Sequence, residues 1–143
     1  MNVAAILKTK GRTVTTARVD TLLADIAGKL ASRKIGAIVI IGEAGRVAGI
    51  ISERDVVRLI ADRGAAALQL PVGDAMTHTV VTCHEDTTLD ELMELMTTGR
   101  FRHIPVVEDD ALVGLVSIGD VVKLHLADMA LEVTSMRSYL TTG

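Results

Sequence analysis

The chain contains one stretch of sequence twice, and this internal duplication limits what it can fold into. Residues 47–57 read VAGIISERDVV and residues 112–122 read LVGLVSIGDVV, so that Ser117 lies 65 residues after Ser52. Upstream the offset becomes 66, because the segment 42–46 is one residue longer than the segment 108–111. A difference of this kind is expected in a surface turn. We therefore predict two related repeats about a pseudo-twofold axis, with two related sites.

The length of 143 residues suits one compact body made from both repeats. A single repeat would bury too little surface to be stable alone, so the two are expected to pack on each other. The duplication predicts an N-terminal segment at 1–12, repeat 1 at 13–66, a linker at 67–78, repeat 2 at 79–128 and a C-terminal helical extension at 129–143.

Each repeat has the pattern of a β-α-β-β-α unit, which predicts a mixed α+β fold. Short β segments at 13–16 and 79–83 precede amphipathic helices, the second with a capping box at Thr88 and Glu91. Two β-branched runs follow in each repeat, at 37–41 and 47–51 and at 104–107 and 112–116, and the next helix begins at Ser52 or Ser117. The helical pattern continues to Leu140 with excess apolar surface, which we interpret as a packing surface for the other repeat or for a partner subunit.

Composition argues against several classes of partner. Phe101 and Tyr139 are the only aromatic residues, too few for a base-stacking platform, and a net charge of −3 does not suit a phosphate-tracking groove. No apolar run approaches the about 20 residues of a membrane helix, and residues 1–10 lack the features of a signal peptide. The single cysteine, Cys83, suits a reducing compartment. We expect a cytoplasmic protein with no nucleic-acid or membrane partner.

Metal binding and catalysis are not predicted. His78, Cys83 and His84 lie close together, but their spacing matches no familiar zinc pattern. The sequence has no Gly-x-Gly-x-x-Gly motif and no nucleophile with an evident base. A basic run before repeat 1, formed by Lys8, Lys10 and Arg12, is interpreted as solvated. We expect no catalytic residue and no metal ligand.

The strongest candidate for chemistry is the pair Ser52 and Asp55, repeated as Ser117 and Asp120. A serine at the N-cap with an acid three residues later is also an ordinary capping arrangement, and this is the preferred interpretation of either copy alone. The doubling, with a glycine three residues before each serine, favours a binding role. Free N–H groups at a helix start attract an anion, and a short carboxylate there can accept hydrogen bonds from vicinal hydroxyls. Phosphate beside a diol indicates a ribonucleotide.

These motifs resemble a tandem pair of CBS domains, the module named for cystathionine β-synthase. The resemblance covers nearly the whole chain and is carried by the segments 49–55 (GIISERD), 72–77 (VGDAMT), 102–107 (RHIPVV) and 114–120 (GLVSIGD). It implies a disc-shaped body with two clefts between the repeats, which in this family often hold adenosine ligands. We expect AMP, ADP, ATP or NAD, ahead of S-adenosylmethionine.

The resemblance also implies roles for individual residues. The family's helix-start Ser/Thr contacts phosphate and its Asp holds the ribose hydroxyls, roles that would fall on Ser52, Asp55, Ser117 and Asp120. Backbone entering the second strand lines the adenine pocket, which implies Gly36, Ala37 and Ile38 in repeat 1 and Arg102, His103 and Ile104 in repeat 2. Arg54, Arg102 and His103 are potential phosphate contacts. For Arg102 the alternative is a solvated surface residue, and for His103 a satisfied polar edge.

Repeat 1 departs from the pattern, because it has no counterpart of Pro105 or of the Arg102-His103 pair. The two clefts should therefore differ in affinity, and one of them could be empty. The expected function is that of a stand-alone regulatory sensor, for example of cellular energy, which binds a nucleotide and acts on an unknown downstream protein. The resemblance implies a homodimer. The alternatives are a ligand-free structural dimerisation module, whose Ser/Asp pairs are only caps, and, third, an enzyme.

Overall fold

The structure is a computed structural model that describes residues 1–142, with side chains described through residue 140. Gly143, the last residue of the predicted helical extension, lies outside the described residues. The helices are α1 (Val3–Lys10), α2 (Leu23–Arg33), α3 (Glu53–Arg63), α4 (Leu89–Gly99) and α5 (Ile118–Thr142). The strands are β1 (Thr16–Arg18), β2 (Ala37–Ile41), β3 (Val47–Ser52), β4 (His103–Glu108) and β5 (Ala111–Ser117). Short 3-10 turns lie at Glu43–Gly45, Gly64–Gln69 and Val72–Asp74.

The two repeats have matching hairpins, as the duplication predicts. Strands β2 and β3 pair antiparallel in repeat 1, and β4 and β5 pair antiparallel in repeat 2. Both hairpins have a register shift at the equivalent position, between Ile40 and Ile41 and between Val106 and Val107. A shared irregularity of this kind shows that the duplication extends to backbone geometry.

The first strand of each repeat is shorter than the sequence predicts. In repeat 1 it is Thr16–Arg18, parallel to β2, and so begins at the end of the predicted segment 13–16. In repeat 2 the predicted strand 79–83 is reduced to a single parallel bridge between Cys83 and Val106.

Pro105 explains why the parallel pairing stops in repeat 2. The Cys83 N–H donates to the Pro105 carbonyl at 3.0 Å, and the Val107 N–H donates to the Cys83 carbonyl at 2.9 Å. The next bond of the ladder would need an N–H on Pro105, which proline lacks. In repeat 1 the equivalent residue, Val39, donates its N–H to the Thr15 carbonyl at 3.3 Å, so the pairing continues.

The core consists of two clusters of buried residues, and each repeat contributes to its own cluster through its hairpin and first helix. The repeat 2 cluster also contains Val3, Ile6 and Leu7 from α1, at the other end of the chain. The repeat 1 cluster includes Val72 and Met76 from the segment that leads into repeat 2. The chain therefore crosses between the repeats twice. Helix α1, which precedes repeat 1, packs on repeat 2, and the segment that leads into repeat 2 packs on repeat 1.

Two glycines permit these crossings. A Cβ atom on Gly49 would collide with the Met76 side chain and would lie 2.8 Å from the Thr77 carbonyl oxygen. A Cβ atom on Gly114 would lie 2.7 Å from Leu7 Cδ2. The glycine repeated before each Ser-x-x-Asp pair thus has a packing role, because it lets the incoming segment lie directly on the strand.

Helix α5 is 25 residues long and extends well beyond the packed body. Its exposed apolar side chains are Ile118, Val122, Leu126, Met129, Leu131, Val133, Met136, Tyr139 and Leu140. The excess apolar surface predicted for this region is therefore present. Across residues 1–142, no helix combines the length and the apolarity needed to cross a membrane.

Candidate functional site

A cleft of about 570 Å³ lies between the two repeats, within the range of about 300–1,000 Å³ found for small-molecule sites. Its walls are the start of α3, the segment that enters repeat 2, the end of α4, the start of β4 and the start of α5. Both repeats contribute, as expected for a site on the pseudo-twofold body. We call it the Asp55 cleft.

The structure brings most of the predicted site residues to this cleft. Those that line it are Gly36, Ala37, Ser52, Arg54, Asp55, Arg102, His103 and Ser117. Ile38 and Ile104 are fully buried in the two core clusters and do not line the cleft, because alternate residues of a strand face opposite sides. Asp120 is also absent from the lining.

Ser52 and Asp55 form a reciprocal capping box at the start of α3. Asp55 Oδ2 accepts hydrogen bonds from the Ser52 N–H at 2.9 Å and from the Ser52 hydroxyl at 3.0 Å, and Ser52 Oγ accepts from the Asp55 N–H at 3.3 Å. The capping role considered from the sequence is therefore real. The bonds to the carboxylate both use one oxygen, and an ionised carboxylate has a second acceptor oxygen. Capping and ligand binding are compatible at this residue.

Ser117 and Asp120 make the same reciprocal bonds, at 2.8 Å from the Ser117 N–H to Asp120 Oδ2 and at 3.2 Å from the Asp120 N–H to Ser117 Oγ. Asp120 has an additional partner, since the Lys10 ammonium lies 2.7 Å from Oδ2. Burial alone would raise the pKa of Asp120, but the bonds from Lys10 and Ser117 hold it below its usual range. Lys10, interpreted from the sequence as solvated, is half-exposed but ion-paired.

His103 is fixed at the cleft by close packing against Gly36. A Cβ atom on Gly36 would lie 3.0 Å from both Cε1 and Nε2 of the ring. Burial lowers the pKa of His103, and the positive charge of Lys10 lowers it further. The ring is therefore held mainly neutral near pH 7, next to a space where a ligand anion would favour its charged form.

The cleft carries more positive than negative charge. Four arginines line it, namely Arg54, Arg58, Arg100 and Arg102, against two acids, Glu53 and Asp55. Guanidinium groups can form paired hydrogen bonds to phosphate. The lining is thus suited to an anionic group beside a carboxylate.

Sequence reasoning missed part of the lining. Thr77, Thr79, Val80 and Val81 face the cleft, as do Arg100 and Phe101 after α4. Thr77 was missed because it was assigned to the linker, and Thr79, Val80 and Val81 were missed because the segment 79–83 was interpreted as a strand. Pro105 was the available signal, since its missing N–H leaves the upstream part of that segment unpaired.

Comparison with known proteins agrees with this architecture. The model of the CBS domain family matches residues 8–62 and 72–127. The chain is 33% identical over 149 residues to the CBS domain-containing protein CBSX3, mitochondrial, of Arabidopsis thaliana, covering 99% of this chain and 72% of that protein.

Solved structures agree as well. The crystal structure of the CBS-domain containing protein ATU1752 from Agrobacterium tumefaciens has a TM-score of 0.84 at 49% identity, covering 87% of this chain and 99% of that one. The CBS domain pair of MJ0100, in complex with 5'-methylthioadenosine and S-adenosyl-L-methionine, has a TM-score of 0.79 at 26% identity, covering 90% and 98%. Because the family model matches two successive segments that together span most of the chain, the chain belongs to the CBS domain family and contains two CBS domains in tandem.

Proposed function

We propose that the Asp55 cleft binds a phosphorylated adenosine ligand of the AMP, ADP, ATP or NAD class, and that the chain is a non-catalytic regulatory module acting on a partner protein. CBS-domain pairs are generally regulatory, ligand-binding modules, and the MJ0100 pair binds two adenosine compounds. The observation that carries the proposal is Asp55 at a helix start in a cleft lined by four arginines.

The contacts of the cleft divide between the two halves of such a ligand. The Asp55 carboxylate accepts hydrogen bonds from the ribose hydroxyls, while the N-terminus of α3 and the guanidinium of Arg102 attract the phosphate. Apolar side chains such as Val80 and Val81 provide a surface for the adenine. The same positive charge disfavours the cationic sulfonium of S-adenosylmethionine, which places the phosphorylated ligands first.

Replacing Asp55 tests this assignment. A hydrogen bond to a charged group contributes about 1.5–3 kcal/mol, so Asp55→Ala should weaken binding by about 10- to 100-fold, measured by calorimetry with AMP, ATP and NAD. The matched control is Asp62→Ala, which removes an exposed carboxylate later in α3. Because Asp55 also caps the helix, thermal denaturation must show that the variant is folded at the assay temperature. Equal affinities in the wild type and in Asp55→Ala would contradict the assignment.

We also propose that the chain forms a homodimer through α5. Six exposed apolar residues of this helix follow the alternating spacing of four and three that is typical of a two-helix seam: Val122, Leu126, Met129, Val133, Met136 and Leu140. A stripe of this kind fits an identical stripe on a second copy, which would bury both. The same stripe supports the second candidate function, a ligand-free dimerisation module in which the Ser-x-x-Asp pairs serve only as helix caps.

A thermal-shift experiment separates the two candidates. A ligand at about 100 times its dissociation constant adds about 2.7 kcal/mol of stability, so millimolar AMP, ATP or NAD should raise the melting temperature clearly. S-adenosylmethionine is the comparison ligand. A melting temperature unaffected by every one of these compounds would favour the ligand-free module.

A further inference from the structure

The two Ser-x-x-Asp pairs differ in one contact. Lys10 Nζ donates to Asp120 Oδ2 at 2.7 Å and to the Leu115 carbonyl at 2.9 Å. Within the described residues, Asp55 forms no ion pair. Only one of the two equivalent carboxylates is therefore neutralised by the chain itself.

The repeat offset explains how this difference arises. The counterpart of Lys10 in the other repeat is Met76, whose side chain is buried in the repeat 1 core. The counterpart of Leu115 is Ile50, whose carbonyl accepts the backbone N–H of Thr77 at 3.0 Å. In repeat 1 a backbone amide thus satisfies the strand carbonyl. In repeat 2 a lysine ammonium satisfies it and also reaches the acid.

We infer that Lys10 occupies the place at Asp120 that the hydroxyls of a ligand sugar would take, so that the Asp55 cleft binds the nucleotide while the Asp120 site is held by the chain's own ammonium group. The inference rests on the proposed function, because it assigns ligand occupancy to two sites of the same kind. Lys10 is then a specificity-determining residue, and the asymmetry of the pair is set by one side chain outside either Ser-x-x-Asp motif.

The geometry of the ion pair between Lys10 and Asp120 favours a role in excluding a ligand over a role in stabilising the fold. The Lys10 and Asp120 side chains are 37% and 22% exposed, and an ion pair at such exposure contributes little to folding. Competition for a ligand is different, because the Lys10 ammonium pairs with the charge of the carboxylate through a charge-assisted bond to Oδ2, so that a sugar hydroxyl approaching the remaining oxygen meets an already neutralised group. We expect the Asp120 site to bind AMP about 10- to 100-fold more weakly than the Asp55 cleft for this reason.

Calorimetry with AMP tests the inference on the wild-type chain, Lys10→Met and Lys10→Arg. Methionine is the residue at the equivalent place on repeat 1, where Met76 packs. Arginine keeps the positive charge and is the matched control. The wild type and Lys10→Arg should show one strong site per chain, and Lys10→Met should gain a second. Adding Asp120→Ala to Lys10→Met should remove that second site. Two equal sites in the wild type, or no gained site in Lys10→Met, would overturn the inference.

The same series separates failure of this inference from failure of the proposed function. If the wild type binds no AMP and Lys10→Met binds one, the role of the Asp55 cleft is wrong and the inference about Lys10 holds. If the wild type binds one and Lys10→Met also binds one, the proposed function holds and the inference is wrong. If neither binds, both are wrong.

A nuclear magnetic resonance titration of His103 reports on Lys10 without any ligand. The positive charge of Lys10 lowers the pKa of His103, so that pKa should rise in Lys10→Met and stay low in Lys10→Arg. Dispersed amide spectra establish that each variant is folded. An unchanged His103 titration in Lys10→Met would show that the ammonium is not held at this site and would overturn the inference.

Discussion

His103 is the side chain in the Asp55 cleft whose charge is easiest to change near neutral pH. Burial lowers its pKa most, and Lys10 and Arg102 lower it further, while Glu53 and Asp120 act in the opposite direction. The free protein therefore holds the ring largely neutral. A bound phosphate would favour the imidazolium, so the pKa of His103 should rise when a nucleotide binds.

This coupling predicts a pH-dependent affinity. Between the lowered pKa of the free protein and the raised pKa of the complex, binding takes up a proton, so the part of the AMP affinity that depends on His103 should increase as the pH falls through this interval. Calorimetry in buffers of different ionisation enthalpy measures the proton uptake. The phosphate of AMP also titrates in this range, at a pKa of about 6 by analogy with other phosphate monoesters. The control is therefore His103→Gln, in which only the AMP phosphate should contribute to the proton exchange on binding. Equal proton uptake in the wild type and in His103→Gln would contradict the prediction.

At single positions, the sequence was informative where the residue acts locally and uninformative where it acts at a distance. Ser52 and Asp55 are three residues apart, and their mutual bonds follow from the motif. Lys10 and Asp120 are 110 residues apart. Their contact depends on α1 packing on the opposite repeat, which no local pattern in residues 1–12 indicates.

At the level of elements, a glycine under a crossing segment and a glycine on an open helix face predict opposite effects of the same substitution by alanine. Gly49→Ala should lower the free energy of unfolding by about 1–3 kcal/mol, because the added methyl group would collide with Met76 and the Thr77 carbonyl. Gly28→Ala should raise it by about 0.5–1 kcal/mol, since Gly28 lies inside α2 with nothing within 4 Å of its Cβ position. Urea denaturation measures both. A Gly49→Ala variant as stable as Gly28→Ala would show that the crossing segment is not tightly packed.

The elements themselves were largely predictable, because helix and strand periods are local properties. The predicted runs 37–41 and 47–51 match β2 and β3 closely, and Thr88 caps α4 by accepting the Glu91 N–H at 3.1 Å. The first strands were less predictable. A strand needs a partner, and the pairing of 79–83 depends on which N–H groups β4 can offer, so that Pro105 decides the outcome from more than twenty residues away.

For the whole molecule, the stripe on α5 predicts the oligomeric state. Val133→Glu with Met136→Glu should convert the proposed dimer to a monomer in sedimentation equilibrium, because four carboxylates would then face each other across the seam. Leu131→Glu is the matched control, since Leu131 is 57% exposed, comparable to 47% for Val133 and 65% for Met136, but lies off the stripe. Circular dichroism checks that helicity is retained. A monomeric wild type, or a Leu131→Glu variant that also dissociates, would contradict the role of the stripe.

The crossing of α1 onto repeat 2 means that neither half of this chain can be cut out along the sequence and remain whole. A fragment made of the second half alone would lack Val3, Ile6 and Leu7, which are at most 5% exposed in the intact protein. The missing helix would leave an apolar gap that only another polypeptide could fill. The two repeats therefore form one folding unit, and we expect neither to fold when it is excised at its boundary in the sequence.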